Sequence, residues 1–207
     1  MNAISLAGLA RRYLPVFALF LASTVQAEYF WIDADADGKR IQSGELNKPG
    51  AALPVQEARA FSADGKTVAL EAADGAYKAA AGNSGDLRFT AHRVEDKSLI
   101  VYHARFGRQE TKAVSDLELV PTTPGGDTYR LFWKGNAVAA AQVNVSTSEG
   151  WSRVLRPAAD GSISFIPSFP ALYVLEISAK LNGAVTVAGT KYDDVRHVAT
   201  LSFRVAR

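Results

Sequence analysis

Residues 117–145, LELVPTTPGGDTYRLFWKGNAVAAAQVNV, contain three short strand patterns separated by turn residues. Residues 117–120 predict a strand that ends at Pro121, because proline has no N–H to donate to a sheet ladder. Residues 128–133 alternate apolar and polar side chains, and Gly135-Asn136 then reverses the chain into a third alternating strand. This order of strands and turns predicts one half of a β-sandwich. The expected core face of the middle strand is Tyr129, Leu131 and Trp133.

Similar strand patterns recur along the rest of the chain, and no stretch shows sustained helical spacing with caps. Residues 87–93 and 98–106 form the clearest predicted hairpin of the first half, and residues 107–115 are a polar link. The pattern predicts an all-β fold of two immunoglobulin-like or transthyretin-like β-sandwich halves in series, residues 28–112 and 113–207. The inward stripes of the hairpin are Leu87, Phe89 and Ala91 on one strand and Ile100, Tyr102, Ala104 and Phe106 on the other.

The first 27 residues have the composition of a secretory signal peptide. Arg11 and Arg12 supply a positive region, a short apolar run follows, and Val25 with Ala27 defines a small-residue cleavage site. The apolar run is shorter than the roughly 20 residues that cross a bilayer core, so stable membrane insertion is not expected. We therefore predict export to the periplasm, by the Sec or twin-arginine route, with cleavage after Ala27.

The charge balance and the cysteine count exclude several classes of function. The chain has 23 Lys+Arg and 21 Asp+Glu, and the predicted signal peptide carries two of the arginines and no acidic residue. The remaining chain is electrically balanced, which gives no electrostatic basis for binding nucleic acid. The chain has no cysteine, which excludes disulfides, thiolate metal ligands and a cysteine nucleophile. The sequence also lacks the G-x-S-x-G, H-E-x-x-H and phosphate-loop motifs, so we predict that the protein is not an enzyme.

Two histidines in the predicted hairpin are candidate metal ligands. A turn at Asp96-Lys97 places His92 opposite Val101 and His103 opposite Thr90. Both rings are then expected to point outward on one face, with Cα atoms about 7–8 Å apart. Imidazoles at this separation can share one divalent transition-metal ion such as nickel, cobalt or copper. The alternative is a pair of ordinary surface histidines, which Arg88 and Arg105 on the same face favour. His197 continues an apolar stripe and is interpreted as a satisfied histidine at the sandwich edge.

Two further polar groups have both a functional and a structural interpretation. Arg105 and Arg108 can clamp a carboxylate or phosphate, or can pair with Glu110 or Asp116 in the link. Residues 33–38, DADADG, match the first half of a calcium loop, but the twelfth position is a glycine where the loop needs a bidentate acid. The sequence therefore favours a solvated hairpin tip over a calcium site.

The order LELVP, GDTYRLFWKGNAV, AAAQVNV, AADGSISF and then Tyr192, His197 and TLSF resembles a family of periplasmic proteins. That family is catalogued as a domain of unknown function and often labelled a nickel or cobalt uptake component. The resemblance runs from EYFWID at Glu28 to FRV at Phe203. The second half also resembles carboxypeptidase-regulatory-like and transthyretin-like sandwiches. The family resemblance implies a metal-binding histidine just after the cleavage site, where this chain has Glu28 and Tyr29; Glu28 and the free amine are the ligands left there.

Taken together, these features predict an exported, non-enzymatic binding or accessory protein of the periplasm. The resemblance implies assistance in the uptake of a transition-metal ion or metal complex, with an envelope transporter or outer-membrane receptor as partner. The candidate metal ligands are His92, His103 and Glu28. The alternative is a structural or protein-interaction β-sandwich of the cell envelope that takes no small ligand.

Overall fold

The computed structural model describes residues 28–35, 37–49, 52–73, 75–80 and 85–206, so the predicted signal peptide lies outside the described residues. Every regular element in this part of the chain is a β-strand, which confirms the all-β fold class. Over the same residues, none of the structure is a helix with the length and apolar character needed to cross a membrane.

The described residues form seventeen strands. Those of the first half are β1 (Tyr29–Asp35), β2 (Gly38–Glu45), β3 (Lys48–Pro49), β4 (Gln56–Ser62), β5 (Thr67–Val68), β6 (Leu70–Ala73), β7 (Ala76–Ala79), β8 (Leu87–Glu95) and β9 (Ser98–Phe106). Those of the second half are β10 (Leu117–Pro121), β11 (Thr128–Trp133), β12 (Asn136–Val138), β13 (Val143–Thr147), β14 (Ser152–Leu155), β15 (Ile163–Ser164), β16 (Ala171–Val187) and β17 (Thr190–Val205).

An eight-stranded sheet forms the centre of the molecule, in the order β14-β13-β16-β17-β9-β8-β4-β5. All of its pairs are antiparallel except β17 with β9, which run parallel from Asp194 opposite Ser98 to Ser202 opposite Phe106. The sheet therefore takes strands from both sides of the predicted boundary between residues 112 and 113. The division into two halves stays a prediction, since both predicted halves contribute strands to this one sheet.

A second sheet, β1-β2-β7-β6 with β3 attached to β2, packs on one face of the central sheet. Side chains of β17 hold its first strand: Thr200 Oγ1 donates to the Phe30 carbonyl at 2.6 Å, and Ser202 Oγ donates to the Ile32 carbonyl at 2.5 Å. The predicted inward stripes of the first-half hairpin are confirmed, because they form the core between these two sheets. Their buried members are Leu87, Phe89, Ala91, Ile100, Tyr102 and Ala104.

A third sheet, β10-β11-β12 with β15 attached to β11, packs on the opposite face of the central sheet. A two-residue turn at Lys134 and Gly135, both with positive φ, joins β11 to β12 in the way that hairpin turns of this length require. The core beneath this sheet contains Tyr129 and Leu131, as the sequence predicts, whereas Trp133 is only half-buried.

Alternation along β17 explains how one sheet supports two cores. Val198 points into the first core, whereas Ala199 and Leu201 point into the second. Both faces of the central sheet are therefore covered over β9 and β17. Three polar residues that alternate with the inward stripes of β8 and β9, namely Arg88, His103 and Arg105, are buried on the side that the third sheet covers.

Candidate functional site

The predicted register of the β8–β9 hairpin is confirmed: His92 lies opposite Val101 and His103 lies opposite Thr90. The prediction that both rings point outward is wrong for His103, which is only 6% exposed. The third sheet covers this part of the face, and the sequence of the hairpin carries no sign of that cover. His92 lies farther along β8 and stays partly exposed.

His92 contacts residues of β4 rather than His103. Its Nε2 lies 3.2 Å from Gln56 Oε1, and its Nδ1 lies 3.8 Å from Glu57 Oε2. Glu57 has a φ of 50° at a bulge in the pairing of β4 with β8. The bulge therefore brings one carboxylate and one amide oxygen to an accessible imidazole.

Glu28 lies apart from both histidines. Its Oε2 accepts a bond from Arg93 Nη1 at 3.3 Å, and Arg93 also bonds Glu95. Arg93 and His92 are adjacent on β8, so their side chains point to opposite faces. Within the described residues, no group of three or more His, Cys, Asp or Glu side chains is placed to hold one metal ion. The three predicted ligands thus occupy three separate places.

The structure instead pairs His103 with His197, across the parallel contact of β9 and β17. His103 Nε2 and His197 Nδ1 lie 3.0 Å apart, and the ring planes are within 4° of parallel. Trp133 packs against His197 with ring centroids 4.7 Å apart and an interplanar angle of 85°. His197 is 5% exposed, so both imidazoles are buried. We call His103, His197 and Trp133 the histidine pair site.

Burial keeps both rings of this site neutral. Loss of solvent and, to a smaller extent, the neighbouring His197 together lower the pKa of His103 to about 3. Loss of solvent also lowers the pKa of His197, to about 4, against the opposing effect of Asp116. In the described structure, His103 Nδ1 and Thr90 Oγ1 are buried without a hydrogen-bond partner, on residues that face each other across the ladder. A neutral imidazole keeps one ring nitrogen with a lone pair, so two neutral imidazoles are competent metal ligands.

A buried charge network lies beside the histidine pair site. Arg88 and Arg105 face each other on β8 and β9, and both are almost completely buried. Glu118 Oε1 accepts bonds from Arg88 Nε at 2.8 Å and from Arg105 Nη1 at 2.9 Å. Glu118 Oε2 accepts the backbone N–H groups of Val114 and Ser115. Because the charges are mutually satisfied, the network ties β10 and the preceding loop to the central sheet.

Asp86, which directly precedes β8, completes this network by contacting the loop after β9. Its Oδ2 accepts a bond from Arg105 Nη2 at 2.6 Å and another from the Glu110 N–H at 3.0 Å. Gly107 has a φ of 100°, and a Cβ there would lie 2.0 Å from Asp86 Oδ1, so only glycine fits. Glu110, one of the two partners predicted for Arg105, contributes its carbonyl oxygen. The carboxylates come from Asp86 and Glu118, which were not predicted.

The two remaining sequence candidates have structural partners. Arg108 bonds Asp127 and lies 4.1 Å from the centre of the Phe203 ring, so its charge is paired and one face of its guanidinium is covered. Asp33 in the calcium-like motif accepts two bonds from Arg204, at 2.7 and 2.6 Å. The motif lies at a β1–β2 hairpin in which Asp35 faces Gly38. This arrangement agrees with a hairpin tip.

Trp133→Ala is expected to lower the free energy of unfolding by about 2 kcal/mol, because a half-buried indole loses its contacts with His197 and the second core. Full burial of this ring, as the sequence stripe predicts, implies a loss of about 3–5 kcal/mol. Urea denaturation of both proteins at pH 7 measures the difference. A loss above about 4 kcal/mol would show that Trp133 acts as a full core residue.

Sequence reasoning missed the pairing of His103 with His197 because these residues are 94 positions apart and meet only through a parallel strand contact. No local pattern marks the pairing: His92 also alternates with a core residue, Ala91, and stays partly exposed. Comparison with known proteins adds no assignment, because no protein-family model matches the chain and no curated protein matches it.

Proposed function

We propose that this chain is a non-enzymatic binding or accessory protein of the periplasm that assists uptake of a transition-metal ion or metal complex. The observation that carries the proposal is the histidine pair site, in which two neutral imidazoles face each other at 3.0 Å. Imidazole nitrogen is a preferred ligand of nickel, cobalt, copper and zinc. The predicted signal peptide and the family resemblance support the same function.

The surroundings of the pair favour binding over catalysis. His103 and His197 are 6% and 5% exposed, and Trp133 covers one side, so a bulky substrate has no route to either ring. The nearby arginines are already neutralised by Glu118 and Asp86. A small ion is the ligand that such an enclosed pair of donors accommodates.

The mature chain, residues 28–207, is expected to bind nickel, cobalt or copper in a calorimetric titration. His103→Gln should abolish binding if the histidine pair holds the ion, whereas His92→Ala should abolish it if the exposed ring beside Glu57 does. His92→Ala should leave the fold intact, because that ring is partly exposed. Glu28→Gln tests the ligand at the predicted mature N-terminus. Absence of metal binding by the wild-type protein would contradict the uptake function.

Export is a separate expectation. Cleavage between Ala27 and Glu28 follows from the small residues Val25 and Ala27 after a short apolar run. Intact mass of the protein recovered from a periplasmic extract measures it. A recovered protein that retains Arg11 and Arg12 would contradict periplasmic export.

A second function, as a protein-interaction module of the envelope, is supported by the long β16–β17 hairpin. These strands stay paired as far as Val187 opposite Thr190. Their neighbours in the sheet end earlier, with Asn144 opposite Glu176 and Ser98 opposite Asp194. The end of the hairpin thus extends beyond the sheet as a two-stranded arm. Crosslinking from Val187→Cys in the living cell tests this function, since the chain has no other cysteine; a matched crosslinking position is Ser178.

A further inference from the structure

We propose that His103 and His197 form a two-coordinate site for a soft monovalent cation of the copper(I) type. This inference rests on the proposed metal-uptake function and names its ion. In the apo protein, the two facing nitrogens share one hydrogen, and the ion takes the place of that hydrogen.

The geometry of the pair suits linear coordination. The facing nitrogens are 3.0 Å apart and the rings are within 4° of parallel, so the lone pair of one nitrogen points towards the other. Metal–imidazole bonds of about 2 Å place two opposed nitrogens about 4 Å apart, so the pair must widen by about 1 Å. Copper(I) and silver(I) have filled d shells and commonly accept two opposed ligands.

The ligand count and the local charge favour a monovalent ion over a divalent ion at this place. Zinc and the divalent ions of nickel and cobalt take four or more ligands, and the described residues offer no group of three or more His, Cys, Asp or Glu side chains around one point. Both ligands are neutral, and the nearby carboxylates of Glu118 and Asp86 already pair with Arg105, so no free negative charge offsets that of the ion. A monovalent ion costs less than a divalent ion in such surroundings.

Ion binding requires a change of tautomer in one ring of the pair. Both facing nitrogens need a lone pair to bind the ion, so the ring that donates in the apo pair must carry its hydrogen on its other nitrogen. For His103 that nitrogen is Nδ1, which is buried without a partner in the described structure, and Thr90 Oγ1 on the opposite residue is also without one. The proton stays on the same imidazole, no electron is transferred, and both rings remain neutral. A bond from the outer nitrogen to a neighbour is the usual support of a metal-bound histidine.

Silver(I) is a suitable probe because it does not change oxidation state during the titration. The chain has no cysteine, and its single methionine is Met1 in the predicted signal peptide. The mature protein therefore has no sulfur ligand that competes. We expect one silver ion per chain by native mass spectrometry and calorimetry.

His103→Gln and His197→Gln are each expected to weaken silver binding at least about 100-fold. Loss of a residue that only supports a metal ligand weakens binding by up to about 100-fold, and these variants remove a ligand itself. His92→Gln is the matched control and should bind as the wild type does. Circular dichroism checks that each variant folds. Histidine-selective ¹⁵N NMR of the wild type gives a test without mutation: silver should shift one nitrogen each of His103 and His197 and leave His92 unchanged.

The outcomes separate this inference from the function on which it rests. A wild-type protein that binds nickel, cobalt or copper(II) but not silver overturns the copper(I) site and keeps the uptake function. Silver binding that persists in both histidine variants, or ¹⁵N shifts at His92 alone, also overturns the site. Failure to bind any of these ions overturns both proposals.

Discussion

Glu118→Ala is expected to lower the free energy of unfolding by about 3–5 kcal/mol, because it leaves two buried guanidinium groups without their shared carboxylate. Arg88 and Arg105 are 0% and 1% exposed, and Glu118 Oε1 bonds both of them. The same change also removes the acceptor for the Val114 and Ser115 N–H groups. Chemical denaturation at pH 7 measures the loss.

Two further variants serve as comparisons: one separates the lost charge from lost packing, and the other tests an exposed ion pair. Glu118→Gln keeps the shape of the side chain and removes its charge, so it should be nearly as destabilising as the alanine variant. Asp64→Ala removes the exposed partner of Lys66 and should unfold at the wild-type denaturant concentration, because such surface pairs contribute little. A wild-type midpoint for Glu118→Ala would show that the network does not hold the third sheet.

The second large effect is acid destabilisation through the histidine pair. Burial lowers the pKa of His103 from 6.5 to about 3 and that of His197 to about 4. Below pH 6.5 the unfolded chain takes up protons that the folded chain does not. The contribution of the pair to the free energy of unfolding should therefore be fully present above pH 6.5. The free energy of unfolding should fall as the pH drops from 6.5 towards 4. One pKa unit corresponds to about 1.4 kcal/mol, so the total effect is several kcal/mol.

Thermal and urea unfolding between pH 7 and 4 measure this dependence. The double variant His103→Gln, His197→Gln has no imidazole at the site, so its stability should depend less on pH over this range. His92→Gln, with its partly exposed ring, is the control and should keep the wild-type slope. Identical slopes in the double variant and the wild type would exclude the pair as the source.

Local patterns in the sequence predicted the strands and their faces well. The alternation of Leu87, Phe89 and Ala91 and the turn at Asp96-Lys97 were sufficient to place His103 opposite Thr90. These features depend on contacts between neighbouring segments, which period-two alternation and turn chemistry encode directly. The all-β class follows from the same information.

Local sequence patterns could not predict which sheets pack on each other. Arg88, His103 and Arg105 look like a solvent-facing row because they are polar and alternate with a core stripe. Their burial depends on Glu118, which β10 brings over them from another sheet. A buried guanidinium group is stable only when a carboxylate pairs with it, and here the carboxylate comes from a residue that is distant in sequence. The candidate site shares this limit, since His197 reaches His103 only through the parallel pairing of β17 with β9.

The position of β17 in the central sheet has a consequence for how the chain folds. Both hydrophobic cores draw buried residues from this last strand, and its hydrogen bonds to Phe30 and Ile32 span 170 positions. Contacts between such distant segments carry a large loop-closure cost and slow the folding rate. A chain synthesised from its N-terminus can complete neither core until residues 190–205 have emerged. A nascent chain therefore lacks a finished core until its last strand has been synthesised, and such a chain suits the export through a narrow channel that we propose.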